Sequence, residues 1–328
     1  MTPRAMDAPA TASLRVARWQ GGAASAVSLY YDDGTDSAFD LAVPSLLRRR
    51  LAGTFYLCCG WYKGPDDPKL ARWGELARRH PGTVVLGEHT WGHGGGTSPE
   101  ELAEAIARNG ALLREISGLP PRALLSFGRP GGCAWTLSRE EEAAVLAAHG
   151  EFLRHDFGPE NSGGPANFHK EVAMHTSADA AAVLDRAERD GGWEALLFHG
   201  VGGDWIAFPA SEHERLLAEI DRRRAAGRLW CGAAIAVHKY AAERDAARLE
   251  PAAAPDGALA AARLSVATDP ALFDEPLTLE ASVPLDRDSV AVEVAPADGA
   301  PAALLRAPAV DGLARFDVPP RAASIAVR

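Results

Sequence analysis

The chain has 328 residues, of which 47% are apolar and 24% charged, as in an ordinary soluble globular protein. This length predicts about two domains. The formal net charge of −10 argues against a nucleic acid partner, because binding phosphates requires a basic surface.

The cysteines and the apolar segments exclude several further classes of protein. Cys58, Cys59, Cys133 and Cys231 lack the spacing of a disulfide framework or a zinc finger. Residues 1–20 have no apolar core of the kind found in signal peptides, and no segment approaches the roughly 18 apolar residues of a membrane span. We therefore expect a cytoplasmic protein, although a secreted protein without its leader would look the same.

A repeating pattern begins at Ser25, after an N-terminal segment (residues 1–20) that we expect to be loose. Each repeat has a short apolar run, a polar or Gly-rich loop and an amphipathic helix. The runs are mostly apolar rather than alternating, which predicts parallel strands buried on both faces. They cover residues 26–30, 54–58, 83–86, 123–127, 151–153, 195–198 and 228–231. Seven such units between residues 21 and 250 predict a wound parallel sheet, either open or closed into a barrel.

Helix start signals support this pattern. Ser98, Ser138 and Ser211 are each followed three residues later by Glu, which is the sequence of a capping box. Further helices are predicted over residues 36–51, 178–190 and 233–249.

The composition changes near Pro251. Residues 250–257 are rich in Pro and Ala and indicate a linker. Alternating segments follow at residues 262–268, 276–283, 289–294, 313–318 and 323–327. They predict a small all-β domain over residues 258–328, which we interpret as an accessory unit for packing or surface binding.

Asp32 and Asp33 end the first apolar run and precede Gly34. An Asp-Asp-Gly sequence alone would be read as an ordinary turn. Two adjacent carboxylates at the end of a buried strand are hard to explain by packing, because a buried charge needs a partner. The alternative to an ordinary turn is a site in which a metal ion or a protonated base lies beside the two carboxylates.

Polar residues also follow other predicted strands. His89 and His93 follow the third strand at a spacing that can ligate one metal, and Gly92 with residues 94–96 indicates a loop there. A Gly-rich loop at residues 128–133 follows the fourth strand, and His199 follows the sixth. Because the carboxyl ends of parallel strands meet at one edge, we expect these side chains to converge.

One Asp and two His with an open coordination position suit Zn²⁺ or another divalent transition metal. Such an ion acts as a Lewis acid and lowers the pKa of bound water toward ~7. A neighbouring Asp can then act as general base, and a separate His can protonate the leaving group. The sequence therefore predicts metal-assisted hydrolysis of an acyl bond.

These motifs resemble the polysaccharide deacetylase family, carbohydrate esterase family 4. The family has T-F-D-D-G, H-[ST]-x-x-H, an R-x-P-x-G-like loop and L-x-x-H in that order. Here the corresponding segments, within residues 20–245, are 30–34, 89–93, 128–132 and 196–199. The resemblance implies an incomplete (β/α)7 TIM-like barrel, followed here by the small C-terminal all-β domain.

The resemblance also implies roles for individual residues. Asp32 is the catalytic base and His199 the general acid, while Asp33, His89 and His93 bind the metal. The family's arginine, which orients the base, aligns with Arg129 or, in another alignment, with Gly128; we assign the role to Arg129. The predicted substrate-binding residues are Tyr31, Trp91, Pro130, Gly131, Gly132, Asp156 and Trp205.

The implied substrate is an N- or O-acetylated oligo- or polysaccharide. Trp91 and Trp205 could stack on a sugar ring, but aromatic side chains serve as often in packing. Asp156 is also a weak candidate for supporting His199. Two other functions stay open: a non-catalytic glycan-binding protein, and an amidase of the same fold that acts on a non-sugar amide.

Overall fold

The computed structural model describes residues 13–154, 166–167 and 176–328. Two compact units divide the chain: residues 24–238 form the first, and the described residues up to 23 together with 239–328 form the second. Strands β1 to β16 are Leu14–Val16, Ser25–Asp32, Gly53–Leu57, Val84–Glu88, Leu125–Phe127, Glu151–Leu153, Ala166–Asn167, Trp193–Phe198, Leu229–Cys231, Ala247–Pro251, Ala260–Val266, Leu277–Ser282, Ser289–Pro296, Ala303–Val310, Leu313–Val318 and Ala323–Val327. Helices α1 to α7 are Val43–Arg49, Pro68–Arg79, Pro99–Ser117, Arg139–Ala148, Ser177–Asp190, Ala210–Ala225 and Ala234–Ala246.

The first unit is a mixed α/β structure built on a parallel sheet that forms a half-barrel. Its strand order is β6-β5-β4-β3-β2-β8-β7, and β9 also pairs with β2. Strand β2 is central: its last three residues pair with β3, and its first three pair with β9. All eight residues of β2 are buried, which explains why this strand is apolar up to Asp32 apart from Ser25 and Ser28.

The helix start signals are confirmed at two of three positions. Ser98 and Ser138 each accept a hydrogen bond from the backbone N–H three residues on, and α4 has the full capping box. The prediction for Ser211 is wrong, because α6 begins at Ala210 and has Pro209 as its N-cap residue. Helix α2, which begins after the N-cap Asp67, is absent from the sequence interpretation.

Two predicted helices have different limits in the structure. The region 36–51 forms a short π-helix, Ala38–Ala42, that continues directly into α1. The helix predicted over 233–249 ends at Ala246, because β10 begins at Ala247 and pairs with β11. Within the described ranges, no helix is both long and apolar enough to span a bilayer.

The second unit is an antiparallel sheet with the order β1-β12-β15-β14-β13-β16-β11-β10. Along β13, partly buried and buried residues alternate over the first six positions, as the period-2 pattern predicts. Residues 1–20 are predicted to be loose, but within this segment Leu14–Val16 forms a strand that pairs with Leu279–Ala281. Three residues are too few for a visible alternation, so the sequence gives no signal for this strand.

A buried Glu243 and a partly buried Glu275 lie in the second unit. Glu243 is fully buried, and neither of its carboxylate oxygens has a hydrogen-bond partner among the described residues. Burial, with the neighbouring Glu275 adding to it, raises the pKa of Glu243 to about 8. Burial likewise raises the pKa of Glu275 to about 7, while Gln20 Nε2 donates to its Oε1 at 3.2 Å.

This pair predicts a pH-dependent stability. Between the pKa of an unfolded Glu and that of folded Glu243, the folded state holds more protons, so the free energy of unfolding falls as the pH rises from about 5 to 8. The variant Glu243→Gln removes one of the two raised carboxyl groups and should show a flatter dependence of the free energy of unfolding on pH. Melting temperatures measured across this range provide the test, and an unchanged slope in the variant would contradict the assignment.

Candidate metal centre and active site

Asp32 and Asp33 lie at the carboxyl end of the central strand. Asp32 is the last residue of β2, and Asp33 has a φ of 71°, in the left-handed region that Asp tolerates better than most side chains. Both side chains are buried. Neither carboxylate oxygen of Asp33 has a hydrogen-bond partner among the described residues, so a buried charge lacks the compensation it requires.

His89 and His93 provide nitrogen atoms next to Asp33. Their Nε2 atoms lie 3.4 Å and 3.5 Å from Asp33 Oδ1, and the ligand atoms of the three residues all lie within 4.8 Å of one another. The Gly128 carbonyl lies 2.7 Å from His89 Nδ1 and can accept a hydrogen bond from a proton on that nitrogen, which leaves Nε2 with a lone pair for a cation. This donor set fits a divalent ion such as Zn²⁺, and Asp33, His89 and His93 form a possible metal site.

The loop with the two histidines is fixed by buried polar groups. Thr90 and His93 both have positive φ, 61° and 60°. Glu88 Oε1 accepts from the Thr90 backbone N–H at 2.6 Å and from Asn109 Nδ2 at 2.8 Å. Asn109, on α3, also accepts from the Cys59 backbone N–H at 2.8 Å. One buried amide thus joins the loops after β3 and β4, a contact that the sequence interpretation missed.

We expect Asn109→Ala to lower the free energy of unfolding by roughly 1–3 kcal/mol, because buried donors and acceptors lose their partner. Denaturant titration measures this difference. Glu104→Ala, on an exposed position of the same helix, is the matched control and should change the stability little. Equal stability of the two variants would show that the buried amide does not hold these loops.

Asp32 forms a buried ion pair with Arg154, which follows β6. Arg154 Nη1 donates to Asp32 Oδ1, and Nη2 donates to Oδ2 at 2.7 Å, so the pair is bidentate. Although burial disfavours the charged carboxylate, the guanidinium holds the pKa of Asp32 well below its usual value. Asp32 Oδ2 is also 3.9 Å from His89 Nε2, which places this ionised carboxylate beside the possible metal site.

The structure does not bring Arg129 to Asp32. The Arg129 guanidinium lies over the Trp135 ring at 4.3 Å, and its Nη2 is 3.5 Å from Glu142 Oε2. The space beside Gly128 belongs instead to Arg154, whose Nη1 would be 2.8 Å from a Cβ at that position. The arginine that contacts Asp32 is therefore Arg154 and not Arg129, to which the sequence interpretation gave the role. Arg154 also follows a strand, and the strand-end criterion applied there would have identified it.

His199 follows β8 at the same edge of the sheet. Its Nε2 lies 3.9 Å from Asp33 Oδ2, on the side of that carboxylate that does not face His89. Burial lowers the pKa of His199, which favours the neutral ring. The exposed Trp205 ring contacts it edge to face, with 5.2 Å between the ring centroids. His199, the predicted general acid, and Trp205, a predicted sugar-stacking residue, are thus adjacent.

Tyr31 and Trp91, two residues of the predicted substrate-binding set, both pack against the core. Tyr31 is fully buried, stacks on Phe55 at 4.8 Å, and its hydroxyl lies 2.8 Å from His213 Nε2. It points away from the site because alternate residues of β2 face opposite sides of the sheet. The Trp91 ring is partly buried against the core and lies under the Arg108 guanidinium at 3.6 Å.

The predicted glycine loop divides into a packed part and an open part. Pro130 is buried, and its carbonyl accepts from Trp135 Nε1 at 3.0 Å. Gly131 and Gly132 are exposed, and a Cβ at either position would meet no atom within 4 Å, so this side of the loop stays accessible to a ligand. The remaining predicted residue, Asp156, lies outside the described residues.

Together, the parallel half-barrel and this strand-end cluster define an α/β protein with a possible Asp/His/His metal site. The polysaccharide deacetylase family model matches residues 20–145. The resemblance to this family is therefore confirmed over that segment, which contains Asp32, Asp33, His89 and His93 and ends before Arg154 and His199. No curated protein matches the chain.

Solved structures of family 4 carbohydrate esterases are also similar to this chain. The Streptomyces lividans esterase in complex with acetate has 17% identity, with 63% of this chain and 91% of that chain covered, at a TM-score of 0.40. The Clostridium thermocellum acetyl xylan esterase with a cobalt ion has 17% identity, with 63% and 98% covered, at 0.41. A Bacillus anthracis pseudoenzyme of the family has 15% identity, with 62% and 63% covered, at 0.41. These TM-scores are too low to assign a function.

Proposed function

We propose that this protein is a metal-dependent hydrolase that removes acetyl groups from N- or O-acetylated carbohydrate. The observation that carries the proposal is the buried carboxylate of Asp33, which lacks hydrogen bonds and faces the Nε2 atoms of His89 and His93. A cation held there by these three side chains would compensate the buried charge. The match to the polysaccharide deacetylase family over residues 20–145 supports carbohydrate as the substrate class.

A bound divalent ion supplies Lewis acidity and a water of lowered pKa. The chain's own groups supply the proton transfers. Asp32 is the general base, and the bidentate contact with Arg154 fixes the direction of its two oxygens. A general base must hold its carboxylate oxygens in a fixed position. A buried, bidentate guanidinium fixes that position more firmly than a solvated partner would.

His199 is the general acid in this proposal. It lies next to Asp33 Oδ2, whereas Asp32 lies next to His89. A substrate bound at the possible metal site would therefore lie between Asp32 and His199. This arrangement allows Asp32 to accept a proton from water while His199, in its protonated form, donates one to the leaving amine or alcohol. The half-barrel would then be the incomplete (β/α)7 barrel implied by the resemblance, and the second unit a sandwich-like accessory domain.

The experiment compares wild-type protein with Asp32→Asn. Zinc-loaded wild-type protein should release acetate from acetylated oligosaccharides, while Asp32→Asn should retain zinc and lose turnover by about 100-fold or more, because the amide cannot accept the proton. Release that is unaffected by Asp32→Asn would refute the assigned base. Zinc and sugar binding without any turnover in the wild type would instead favour a glycan-binding protein, and turnover of a non-sugar amide would favour an amidase.

A further inference from the structure

The loop after His199, residues 200–208, folds back on itself at the edge of the possible metal site. The Phe208 N–H donates to the Gly200 carbonyl at 2.9 Å, and the Gly202 N–H donates to the Phe208 carbonyl at 2.8 Å. These two hydrogen bonds join the end of the loop to its beginning. The chain therefore leaves His199 as a closed turn, whose position is tied to that of the histidine.

Three positions of this loop have a left-handed backbone. Gly202 has a φ of 74°, Asp204 of 62° and Ile206 of 48°. Glycine adopts this region freely and Asp tolerates it, but a β-branched residue such as Ile206 is an outlier there. Strained conformations persist where the surrounding structure determines them, so we expect contacts that hold the loop from outside.

Ser37 provides such contacts. Its Oγ donates to the Gly203 carbonyl at 3.0 Å and accepts from the Val201 N–H at 3.0 Å. The Ser37 N–H donates to Asp204 Oδ2 at 2.6 Å. Val201 is buried, so water cannot readily replace the hydroxyl as the partner of its N–H. One serine thus holds three positions of the loop.

Ser37 also belongs to the turn that begins at Asp33. In the same turn, Thr35 Oγ1 donates to the His199 carbonyl at 3.2 Å and accepts from the Ala38 N–H at 3.2 Å. The turn after Asp33 is therefore hydrogen-bonded both to His199 and to the loop that follows it. These bonds link the backbones on the two sides of the 3.9 Å contact between Asp33 Oδ2 and His199 Nε2.

We propose that Ser37 is a positioning residue for His199. This inference rests on the proposed function, in which His199 is the general acid. Ser37 acts through the backbone of residues 201–204 and keeps the His199 ring beside Asp33 Oδ2. Proton transfer needs a well-placed donor, and a displacement of about 1 Å can cost about 100-fold in rate.

The test compares two kinds of substrate that differ in their need for an acid. Deacetylation of a sugar requires protonation of the leaving amine or alcohol, whereas the phenolate of p-nitrophenyl acetate leaves without a proton. The sugar is the tetramer of N-acetylglucosamine or of acetylated xylose, whichever the wild type deacetylates. In the zinc-loaded full chain, Ser37→Ala should lower kcat/KM for the sugar by roughly 10- to 100-fold. It should leave the zinc content and kcat/KM for p-nitrophenyl acetate nearly unchanged.

Two further variants distinguish positioning from a general structural effect. Ser37→Thr retains the hydroxyl and should recover most of the activity on the sugar. Ser211→Ala, the same change at an exposed position of α6, is the matched control and should act as the wild type on both substrates. An equal loss on both substrates in Ser37→Ala would mean that Ser37 supports the whole site rather than His199. Unchanged activity on both would mean that His199 stays in place without it, and either result would overturn the proposal.

Failure of the deacetylase function would be a separate result. If the wild type releases no acetate from either sugar, amide hydrogen exchange at Val201 tests whether Ser37 holds the loop. Exchange should be roughly tenfold faster in Ser37→Ala than in the wild type or Ser211→Ala, because one hydrogen bond that opposes local opening is lost. Equal exchange rates in the three proteins would overturn the anchoring role of Ser37.

Discussion

Replacing Arg154 by Ala should reduce acetate release by about 100-fold or more while leaving zinc bound. The guanidinium is the buried partner of both Asp32 oxygens, so its removal leaves an uncompensated carboxylate in the site. The same loss should lower the free energy of unfolding by about 3–5 kcal/mol, as for other broken buried pairs. Steady-state kinetics, zinc content and denaturant titration on one preparation measure all three effects.

The controls for this prediction come from the chain itself. Arg129→Ala should retain activity near the wild-type level, because Arg129 contacts Glu142 and Trp135 rather than Asp32. Arg154→Lys keeps a positive charge but cannot form the bidentate contact with Asp32. We therefore expect its activity to lie between those of the wild type and Arg154→Ala. A large loss in Arg129→Ala with little loss in Arg154→Ala would show that the active geometry differs from the one described.

Substitution of the possible metal ligands should abolish both zinc binding and turnover. Outer-shell substitutions cost 10–100-fold in metal affinity, so removal of a direct ligand in Asp33→Asn or His93→Ala should cost roughly 100-fold or more. Asp33→Asn keeps the shape of the side chain but removes the charge that a cation would compensate. Competition with a chromogenic chelator measures the affinity.

The control is Asp32→Asn, which alters a neighbouring carboxylate that does not belong to the Asp33, His89 and His93 set. It should retain one zinc per chain while turnover is lost. Equal loss of zinc in Asp32→Asn and Asp33→Asn would mean that both carboxylates bind the ion, and full zinc retention in His93→Ala would exclude that histidine as a ligand.

Much of the site's location follows from a simple rule of parallel sheets. Asp33, His89 and His199 each follow an apolar strand, and parallel strands place their carboxyl ends at one edge. The structure brings a nitrogen of His89 and a nitrogen of His199 each within 4 Å of an Asp33 carboxylate oxygen. Their chemical roles remain predictions. The rule works because it depends only on strand direction, which the long buried runs of the first unit reveal.

The contacts that hold the site could not be predicted in the same way. Arg154 follows a strand of only three residues, and its pairing with Asp32 depends on the space left by Gly128. Asn109 lies in the middle of a helix, where sequence alone does not distinguish a solvent-exposed amide from a buried one. Tyr31 was misplaced for the opposite reason: it neighbours Asp32 in sequence, but the alternation of a strand directs it into the core.

Acetate release by the wild-type protein, before and after a chelator and again after zinc is added back, tests the central claim most directly. The account predicts release from acetylated oligosaccharides that disappears with the chelator and returns with about one zinc per chain, as the single Asp33, His89 and His93 set among the described residues requires. Release that persists in metal-free protein, or protein that binds no divalent ion at neutral pH, would contradict it.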